Sequence, residues 1–197
     1  MRSEEPALHR FNAMPDPVVV PAEEQHVRAA RSLWLKRFGG DEEIVDGWLR
    51  NCLDEDRPEE LFVALDGGNV VGMGVATLCE PEYAQNYVNL DTPEFDPWET
   101  SGVLHISAVA EGRTGEGIGT ELFETRLRYL RASGASGAFG TSWHRDGKPD
   151  SRALFEKHGF ERLHTYERYY ARTHGRDDCP DCSGECGCTA SLYVREL

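Results

Sequence analysis

The chain has 197 residues, and its 35 acidic residues outnumber its 21 basic residues to give a net charge of -14. This length suits one domain with a substantial core, and the charge argues against nonspecific nucleic-acid binding because the phosphates would be repelled. No apolar run approaches the roughly 18 residues that a membrane helix needs, so we expect no membrane span and no membrane partner.

The first half of the chain carries one clear helical pattern and one clear hairpin signal. Val27, Ala30, Trp34 and Phe38 recur at helical spacing. The run 66–69, Asp-Gly-Gly-Asn, separates two apolar stretches and is typical of a β-hairpin. The predicted elements are a strand at 18–20, a helix at 22–38, a second helix capped by Asp41, and strands at 61–65 and 70–78. Residues 1–16 contain no apolar signal-peptide stretch, and we expect a flexible tail ahead of a single domain at 17–197.

The second half predicts mostly strands. Residues 80–101 lack periodicity and contain three prolines, so we predict a long loop there. The other predicted elements are strands at 103–109, 138–143, 161–172 and 190–197, with helices from 118 and at 149–158. The complete predicted order is β-α-α-β-β-β-α-β-α-β-β.

A strand, a glycine-rich turn and a helix start follow one another at 103–130. Glycines let backbone N–H groups approach a ligand closely, and the helix dipole adds partial positive charge, so this stretch predicts a phosphate or pyrophosphate site. A P-loop would need Lys after its last glycine, where this chain has Thr120. A G-x-G-x-x-G fingerprint is also absent, because Gly115, Gly117 and Gly119 are spaced by two throughout.

The residues after Val109 resemble the signature of the GNAT superfamily of CoA-dependent N-acyltransferases. That signature usually reads Arg or Gln followed by G-x-G-I-G, and here 114–119 read Thr-Gly-Glu-Gly-Ile-Gly, with Arg113 one residue early. Residues 148–160 are similar to the later family helix that ends in L-Y-x-x-x-G-F, with Phe155 in place of its tyrosine. The resemblance implies an α+β fold with α/β/α layers, in which helices flank a mixed, mostly antiparallel sheet.

The resemblance also implies a function, which is transfer of an acetyl group from acetyl-CoA to a primary amine of a small molecule or a protein. In this family the signature strand and the following strand splay apart, and the thioester lies in the wedge between them. The implied CoA-binding residues are Ala108, Val109, Arg113, Thr114, Gly115, Glu116, Gly117, Ile118, Gly119, Thr120, Ser151 and Phe155.

Two residues are candidates for the base that takes the amine proton. His105 and Ser107 share one alternation phase on the signature strand, so we expect them on one face, opposite Leu104, Ile106 and Ala108. An imidazole titrates near neutral pH and suits a base, although a histidine bonded within the sheet is the plainer interpretation. Glu111, just past the strand, is the second candidate. For the acid, Tyr166, Tyr169, Tyr170 and water remain open.

The loop at 80–99 is expected near the acceptor. Its carboxylates and aromatic residues could hold a cationic amine, but an ordinary acidic loop is the favoured interpretation. The carboxylates are Glu80, Glu82, Asp91, Glu94, Asp96 and Glu99.

Four cysteines lie within ten residues as C-x2-C-x3-C-x-C: Cys179, Cys182, Cys186 and Cys188. Clustered thiols in a reducing compartment favour a metal, and we predict a structural zinc that staples a Cys-rich hairpin insert at 174–189. Unbound redox thiols and an iron–sulfur cluster are the alternatives, and His174 is a substitute ligand. The insert could instead shape the acceptor entrance or form a homodimer contact. Cys52 and Cys79 have apolar neighbours and read as core residues.

Composition also bears on the setting. Only three of the basic residues are lysines, and an acid-rich, lysine-poor surface suits a halophilic, cytoplasmic protein. An acidic surface that recruits a basic partner is the alternative.

The alternative function is a non-catalytic module that binds CoA or presents a zinc-stapled hairpin to a protein partner. Nucleic-acid binding through a zinc knuckle is disfavoured by acids around the cysteines, which are Asp177, Asp178, Asp181 and Glu185.

Overall fold

The computed structural model describes residues 17–88, 92, 94–145, 147–174, 179–182 and 184–197. The predicted tail, Asp91, Asp177 and Asp178, together with the side chain of His174, lie outside these residues. In chain order the elements are β1 Val18–Pro21, α1 Glu24–Phe38, α2 Glu42–Asn51, β2 Glu59–Asp66, β3 Asn69–Cys79, α3 Pro81–Val88, β4 Ser101–Val109, α4 Ile118–Ala132, β5 Gly137–Trp143, α5 Arg152–Lys157, β6 Glu161–Tyr166, α6 Tyr169–His174 and β7 Ala190–Glu196.

The strands form one sheet in the order β1-β2-β3-β4-β5-β7-β6, and every pair is antiparallel except β4–β5. The parallel pair is in register only at 101–103 with 137–139. Beyond that point the two strands are no longer paired, and a wedge opens between them toward the start of α4. This is the mixed, mostly antiparallel sheet and the splayed strand pair that the sequence resemblance implies.

Helices cover both faces of the sheet, which confirms the layered α+β prediction. On one face Leu122, Phe123 and Leu130 of α4 pack against strand residues such as Phe62 and Leu104. On the other face α1 and α2 bury a second cluster that includes Val27, Leu49, Val63, Met73 and Val75. The alternation of Phe62 and Val63 between the two clusters is the period-2 pattern of a strand that is buried on both faces.

Local signals in the sequence act as predicted at several boundaries. The Asp41 carboxylate accepts hydrogen bonds from the backbone N–H groups of Glu43 and Ile44, so it caps α2. Gly67 and Gly68 have φ values of 56° and 83°, as a tight hairpin between β2 and β3 requires.

Two segments differ from the prediction. The predicted loop at 80–101 begins with α3, in which Ala84 and Val88 are buried one turn apart behind a leading proline. The predicted strand at 161–172 ends at Tyr166, which pairs with Ala190, the first residue of β7. Arg168 then adopts a φ of 53° and turns the chain into α6. Short elements with few apolar positions leave a weak periodic signal, which explains why the sequence predicted neither α3 nor the end of β6 at Tyr166.

A bulge interrupts β4 at the edge of the wedge. Gly74 pairs with Ser107, but Ala76 pairs with Leu104, so β4 has one residue more than β3 over this interval. The expectation that His105 and Ser107 share a face is therefore wrong, because alternation is broken between them. Leu104 and Ala108 also belong to the clusters on opposite faces of the sheet.

Among the described residues, none of the helices combines the length and apolar character that crossing a membrane would require.

Candidate active site

The glycine-rich turn leads into α4 as a site of exposed backbone donors. Gly115 and Gly117 have φ values of 89° and 85°, which side chains other than glycine rarely adopt, and a Cβ on either would point into open space. Gly117 is the N-cap of α4 and supplies no side-chain acceptor for the first-turn N–H groups. Those donors are left to a ligand, and the helix dipole favours one that is negatively charged.

Arg113 is held in place beside this turn. Its guanidinium lies 2.9 Å from an Asp66 carboxylate oxygen and 2.6 Å from a Glu116 carboxylate oxygen. The hydrogen bonds that Arg113 donates to the Glu116 and Asp66 carboxylates raise its pKa. Arg113 thus ties the turn to the β2–β3 hairpin, while Thr114, in the position of the usual Arg or Gln, contributes a shorter, uncharged side chain.

A cavity of about 670 Å³ runs from this turn into the wedge. Of the residues that the sequence resemblance assigns to CoA, most line it: Val109, Arg113, Thr114, Gly115, Gly117, Gly119, Thr120, Ser151 and Phe155. Ala108, Glu116 and Ile118 are not among the lining residues. Ala108 and Ile118 are buried in the two cores, and Glu116 is exposed.

His105 lines the cavity, with its ring centroid 4.7 Å from that of Tyr87 and 5.8 Å from that of Trp48. Its Nε2 atom is buried and has no hydrogen-bond partner among the described residues. Burial and the charge of Arg126 lower the His105 pKa to about 3, so the imidazole is neutral at neutral pH. Glu111, the other candidate base, is exposed and is not among the cavity-lining residues.

Arg126 of α4 occupies the space beneath the bulge. Its guanidinium donates hydrogen bonds to the backbone oxygens of Leu122, Val75 and His105 at 3.1 to 3.2 Å. The side chain is buried, and burial lowers its pKa to about 10, so it is still charged at neutral pH. No pattern in the sequence indicates this role, because an arginine in an amphipathic helix ordinarily faces solvent.

Phe155 and the tyrosines define the wall opposite β4. The Phe155 ring is stacked on Tyr193 at 5.0 Å with an interplanar angle of 9°, and it has no hydroxyl to donate. Tyr87, Tyr169 and Tyr170 also line the cavity. Burial and then the neighbouring Tyr166 raise the pKa of Tyr169 to about 12, so its hydroxyl stays protonated. Tyr166 is buried against Thr92 and is not among the lining residues.

The predicted acidic loop contributes little to the cavity. From its described residues only Tyr87 lines it, while Glu80 and Glu82 border a separate, shallow pocket. This placement agrees with the interpretation that the sequence favoured, which is an ordinary acidic loop.

The four clustered cysteines converge in space. Their sulfur atoms all lie within 4.8 Å of one another, with the Sγ atom of Cys188 at 3.7 Å from that of Cys179 and 3.5 Å from that of Cys182. Cys52 and Cys79 lie elsewhere, and burial raises the pKa of each of these two thiols to about 12. The four sulfurs pack with Trp143 at the end of β5, and Trp143 lines the cavity.

Further lining residues were not predicted from the sequence. They come from α1, α2, β5 and the loop after β5, and they meet only in the folded chain: Trp34, Arg37, Phe38, Trp48, Thr141, Trp143, Arg145, Pro149 and Asp150.

Two parallel strands that splay apart, with a helix start at the mouth of the opening, define a site whose shape and backbone donors suit an extended, negatively charged ligand. A profile of the family described as "Acetyltransferase (GNAT) family" matches residues 27–160. The chain therefore belongs to the GNAT acetyltransferase family and is an enzyme of the acyltransferase class.

Solved structures share the fold at low sequence identity. A GNAT acetyltransferase from Elizabethkingia anophelis with acetyl-CoA bound has a TM-score of 0.61 at 16% identity, over 93% of this chain and 99% of that chain. The ribosomal-protein-S18-alanine N-acetyltransferase of Escherichia coli has a TM-score of 0.64 at 15% identity, over 92% and 94%. A mosquito arylalkylamine N-acetyltransferase-like protein, 5b, has a TM-score of 0.65 at 14% identity, over 92% and 100%. No curated protein sequence gives a significant match.

Proposed function

We propose that the protein transfers the acetyl group of acetyl-CoA to a primary amine. The observation that carries the proposal is the continuity of one cavity from the α4 turn, through the β4–β5 wedge, to His105. A coenzyme whose pyrophosphate lies on the turn would direct its thioester toward His105. An acceptor amine would approach from the side of α1 and α2.

The coenzyme is assigned to the turn on electrostatic grounds. We place the pyrophosphate against the N–H groups of 114–120, and Val109 and Phe155 beside the pantetheine arm. Gly117 and Gly119 bring the backbone close to the ligand. Catalysis is then largely positioning, in which a neutral amine is held against the thioester carbonyl and attacks it. The C–N bond forms, the C–S bond breaks, and the CoA thiolate leaves.

His105 is the candidate that we assign to the amine proton. His105 lines the cavity and its Nε2 atom is buried without a hydrogen-bond partner among the described residues, whereas Glu111 is not a lining residue. With a pKa near 3, His105 is a weak base, and we therefore assign the proton transfer to a water molecule bonded to Nε2. We expect His105→Gln to lower kcat without introducing or removing a pKa near 6.5 in the pH–rate profile. Loss of a kinetic pKa near 6.5 in the variant would instead identify His105 as a direct base with an ordinary pKa.

The acid that protonates the leaving thiolate is assigned to water or to one of three lining tyrosines. Single Phe substitutions of Tyr87, Tyr169 and Tyr170 separate these possibilities, because only a hydroxyl used in the step will affect kcat more than KM. Phe155→Ala is the control for packing, since this wall residue has no hydroxyl.

Turnover with a panel of primary amines tests the acetyltransferase proposal. The six cysteines of the chain would react with thiol reagents, so free CoA and the acetylated amine should be separated by chromatography and identified by mass. We expect equal amounts of the two products. Tight acetyl-CoA binding without acetylation of any amine would favour the alternative, a non-catalytic CoA-binding or protein-interaction module.

We also propose that the cysteine cluster holds one zinc ion. Four thiolates at about 2.3 Å from a tetrahedral zinc are about 3.8 Å apart, and the distances of 3.7 and 3.5 Å between sulfur atoms are close to that edge. A polynuclear iron–sulfur cluster spreads its ligands over several iron atoms, so a single ion suits this compact set better. Four protein ligands leave no open position for a substrate, and we therefore assign the ion a structural role.

Metal analysis of protein purified under reducing conditions tests the zinc assignment. We expect one zinc per chain, lost in a Cys186→Ser variant and kept in a Cys52→Ser control. Iron with visible absorbance would point to a cluster, and four freely titratable thiols would point to an unmetallated site.

A further inference from the structure

The part of the cavity that α1, α2 and the end of β5 line has a strongly aromatic wall. The ring centroids of Trp34 and Trp48 lie 5.2 Å apart with the rings edge to face, and those of Phe38 and Trp143 lie 6.1 Å apart. All four residues line the cavity, and they come from α1, α2 and β5. Such a wall fits a ligand with a flat or bulky apolar body, because aromatic groups gain contact area and edge-to-face interactions there.

The charge of the cavity opposes the net charge of the protein. Although the chain carries a net charge of -14, the described lining residues of the whole cavity include four arginines and one carboxylate, that of Asp150. Two of these arginines, Arg37 and Arg145, belong to the aromatic part. Burial alone would raise the Asp150 pKa, but hydrogen bonds from Arg152 hold it below its ordinary value. Asp150 is therefore already paired, at 2.7 Å from the Arg152 guanidinium. No unpaired carboxylate among the described lining residues is available to hold a cationic group.

Arg145 is the most constrained of these arginines. Its side chain is 6% exposed, lies over the Trp143 ring with its guanidinium carbon 4.3 Å from the ring centre, and donates from Nε and Nη2 to the Asp181 carboxylate. Its Nη1 atom is buried and has no partner among the described residues. A buried, charged donor without an acceptor is costly, so this atom marks a position where a ligand can supply one.

Arg37 adds a second positive charge nearby. Its Nη2 donates to the backbone oxygen of Pro149, and its pKa is lowered by burial and by repulsion from Arg145. Two arginines that repel each other at the edge of an aromatic pocket are stabilised by an anion placed between them.

We propose that Arg145 and Arg37 bind a carboxylate of the acceptor, so that the substrate class is an amine that also carries a carboxylate and an aromatic body. This inference rests on the proposed acetyl transfer and deepens it. The apolar body would lie against Trp34, Trp48 and Trp143. Asp181, between two of the clustered cysteines, orients Arg145, so the cysteine loop helps to build the carboxylate subsite.

Matched pairs of acceptors test this directly. Tryptophan, tyrosine and phenylalanine each differ from tryptamine, tyramine and phenethylamine only by the carboxylate. We expect at least one of the three amino acids to bind the enzyme–CoA complex about 10- to 100-fold more tightly than its decarboxylated partner, measured by calorimetry. Arg145→Gln should remove that preference and leave the binding of the decarboxylated partner within about 3-fold. Equal or weaker binding of every amino acid would overturn the proposal.

Further variants separate misfolding and coenzyme effects. Arg37→Gln changes a half-buried residue and should reduce the preference even if Arg145→Gln does not fold. Lys148→Gln is the matched control, because Lys148 also pairs with Asp181 but is 48% exposed. If the arginine variants instead weaken acetyl-CoA and leave dephospho-CoA unaffected, the anion is the 3′-phosphate of the coenzyme and the acceptor assignment is wrong. Because calorimetry needs no turnover, an enzyme that binds the amino acids but acetylates none contradicts the proposed function and leaves the subsite intact.

Discussion

Arg126 and His105 are joined across the bulge of β4, where the Arg126 Nη1 atom donates to the His105 backbone oxygen at 3.2 Å. Burial, and then the charge of the same guanidinium, lower the His105 pKa. One buried arginine thus satisfies a carbonyl next to the bulge and helps to keep the neighbouring imidazole neutral.

Replacing Arg126 should be costly. Arg126→Met leaves the oxygens of Val75 and His105 without this donor, and an unsatisfied buried acceptor costs about 1–3 kcal/mol. We expect a lower free energy of unfolding in urea titrations and a raised His105 pKa by NMR. Arg128→Met, on a 60% exposed side chain of the same helix, is the control. Equal stability of the two variants would contradict the role of Arg126.

His105 should make folding sensitive to acid. Its folded pKa of about 3 lies below the unfolded value of about 6.5, so the unfolded chain binds the proton first as the pH falls. The associated stability is complete above pH 6.5 and decreases at up to about 1.4 kcal/mol per pH unit between pH 6.5 and 3. We expect His105→Gln to flatten the decrease in this window, as measured by denaturant titrations. His164→Gln, on an exposed position of β6, is the control substitution.

The glycine turn should be intolerant of side chains. In Gly117→Val a β-branched side chain must adopt a φ near 85° and would occupy the space that we assign to the pyrophosphate. We expect at least a 10-fold loss of acetyl-CoA affinity by calorimetry. Gly68→Val is a matched control, because Gly68 has a φ of 83° and equally open surroundings but lies in the β2–β3 hairpin. Unchanged affinity in a folded Gly117→Val protein would remove the CoA assignment of the turn.

Removing the proposed metal should loosen the end of the sheet and not the coenzyme site. The cysteine loop directly precedes β7, and Cys179 and Cys186 are buried beside Trp143. We expect chelation to lower the melting temperature while acetyl-CoA binding persists, because the α4 turn lies on other elements. A melting temperature that does not respond to chelator or to Cys186→Ser would contradict a structural metal.

Salt should stabilise the protein if its acidic surface is an adaptation to molar salt. The 35 carboxylates repel one another when the screening length is about 10 Å or more, at or below 0.1 M salt. We expect the melting temperature to increase from low to molar KCl. A flat response would leave the acidic surface as a candidate for binding a basic partner.

The sequence by itself determined the features that depend on neighbouring residues. The glycine turn at the start of α4, the Asp41 cap, the β2–β3 hairpin and the convergence of four cysteines within ten residues all follow from local backbone requirements. The family signature extended these local features to the layered fold and the splayed strands.

Only the tertiary structure decided how the chemistry is arranged around the thioester position. The bulge in β4 separates His105 from Ser107, and its extra residue is visible only against the register of β3. Arg126 becomes a buried donor because distant segments close over it. For the same reason the Nη1 atom of Arg145 is buried without a partner among the described residues. The aromatic wall joins residues as far apart in the chain as Trp34 and Trp143. Such contacts depend on long-range packing, and local spacing and composition contain no information about it.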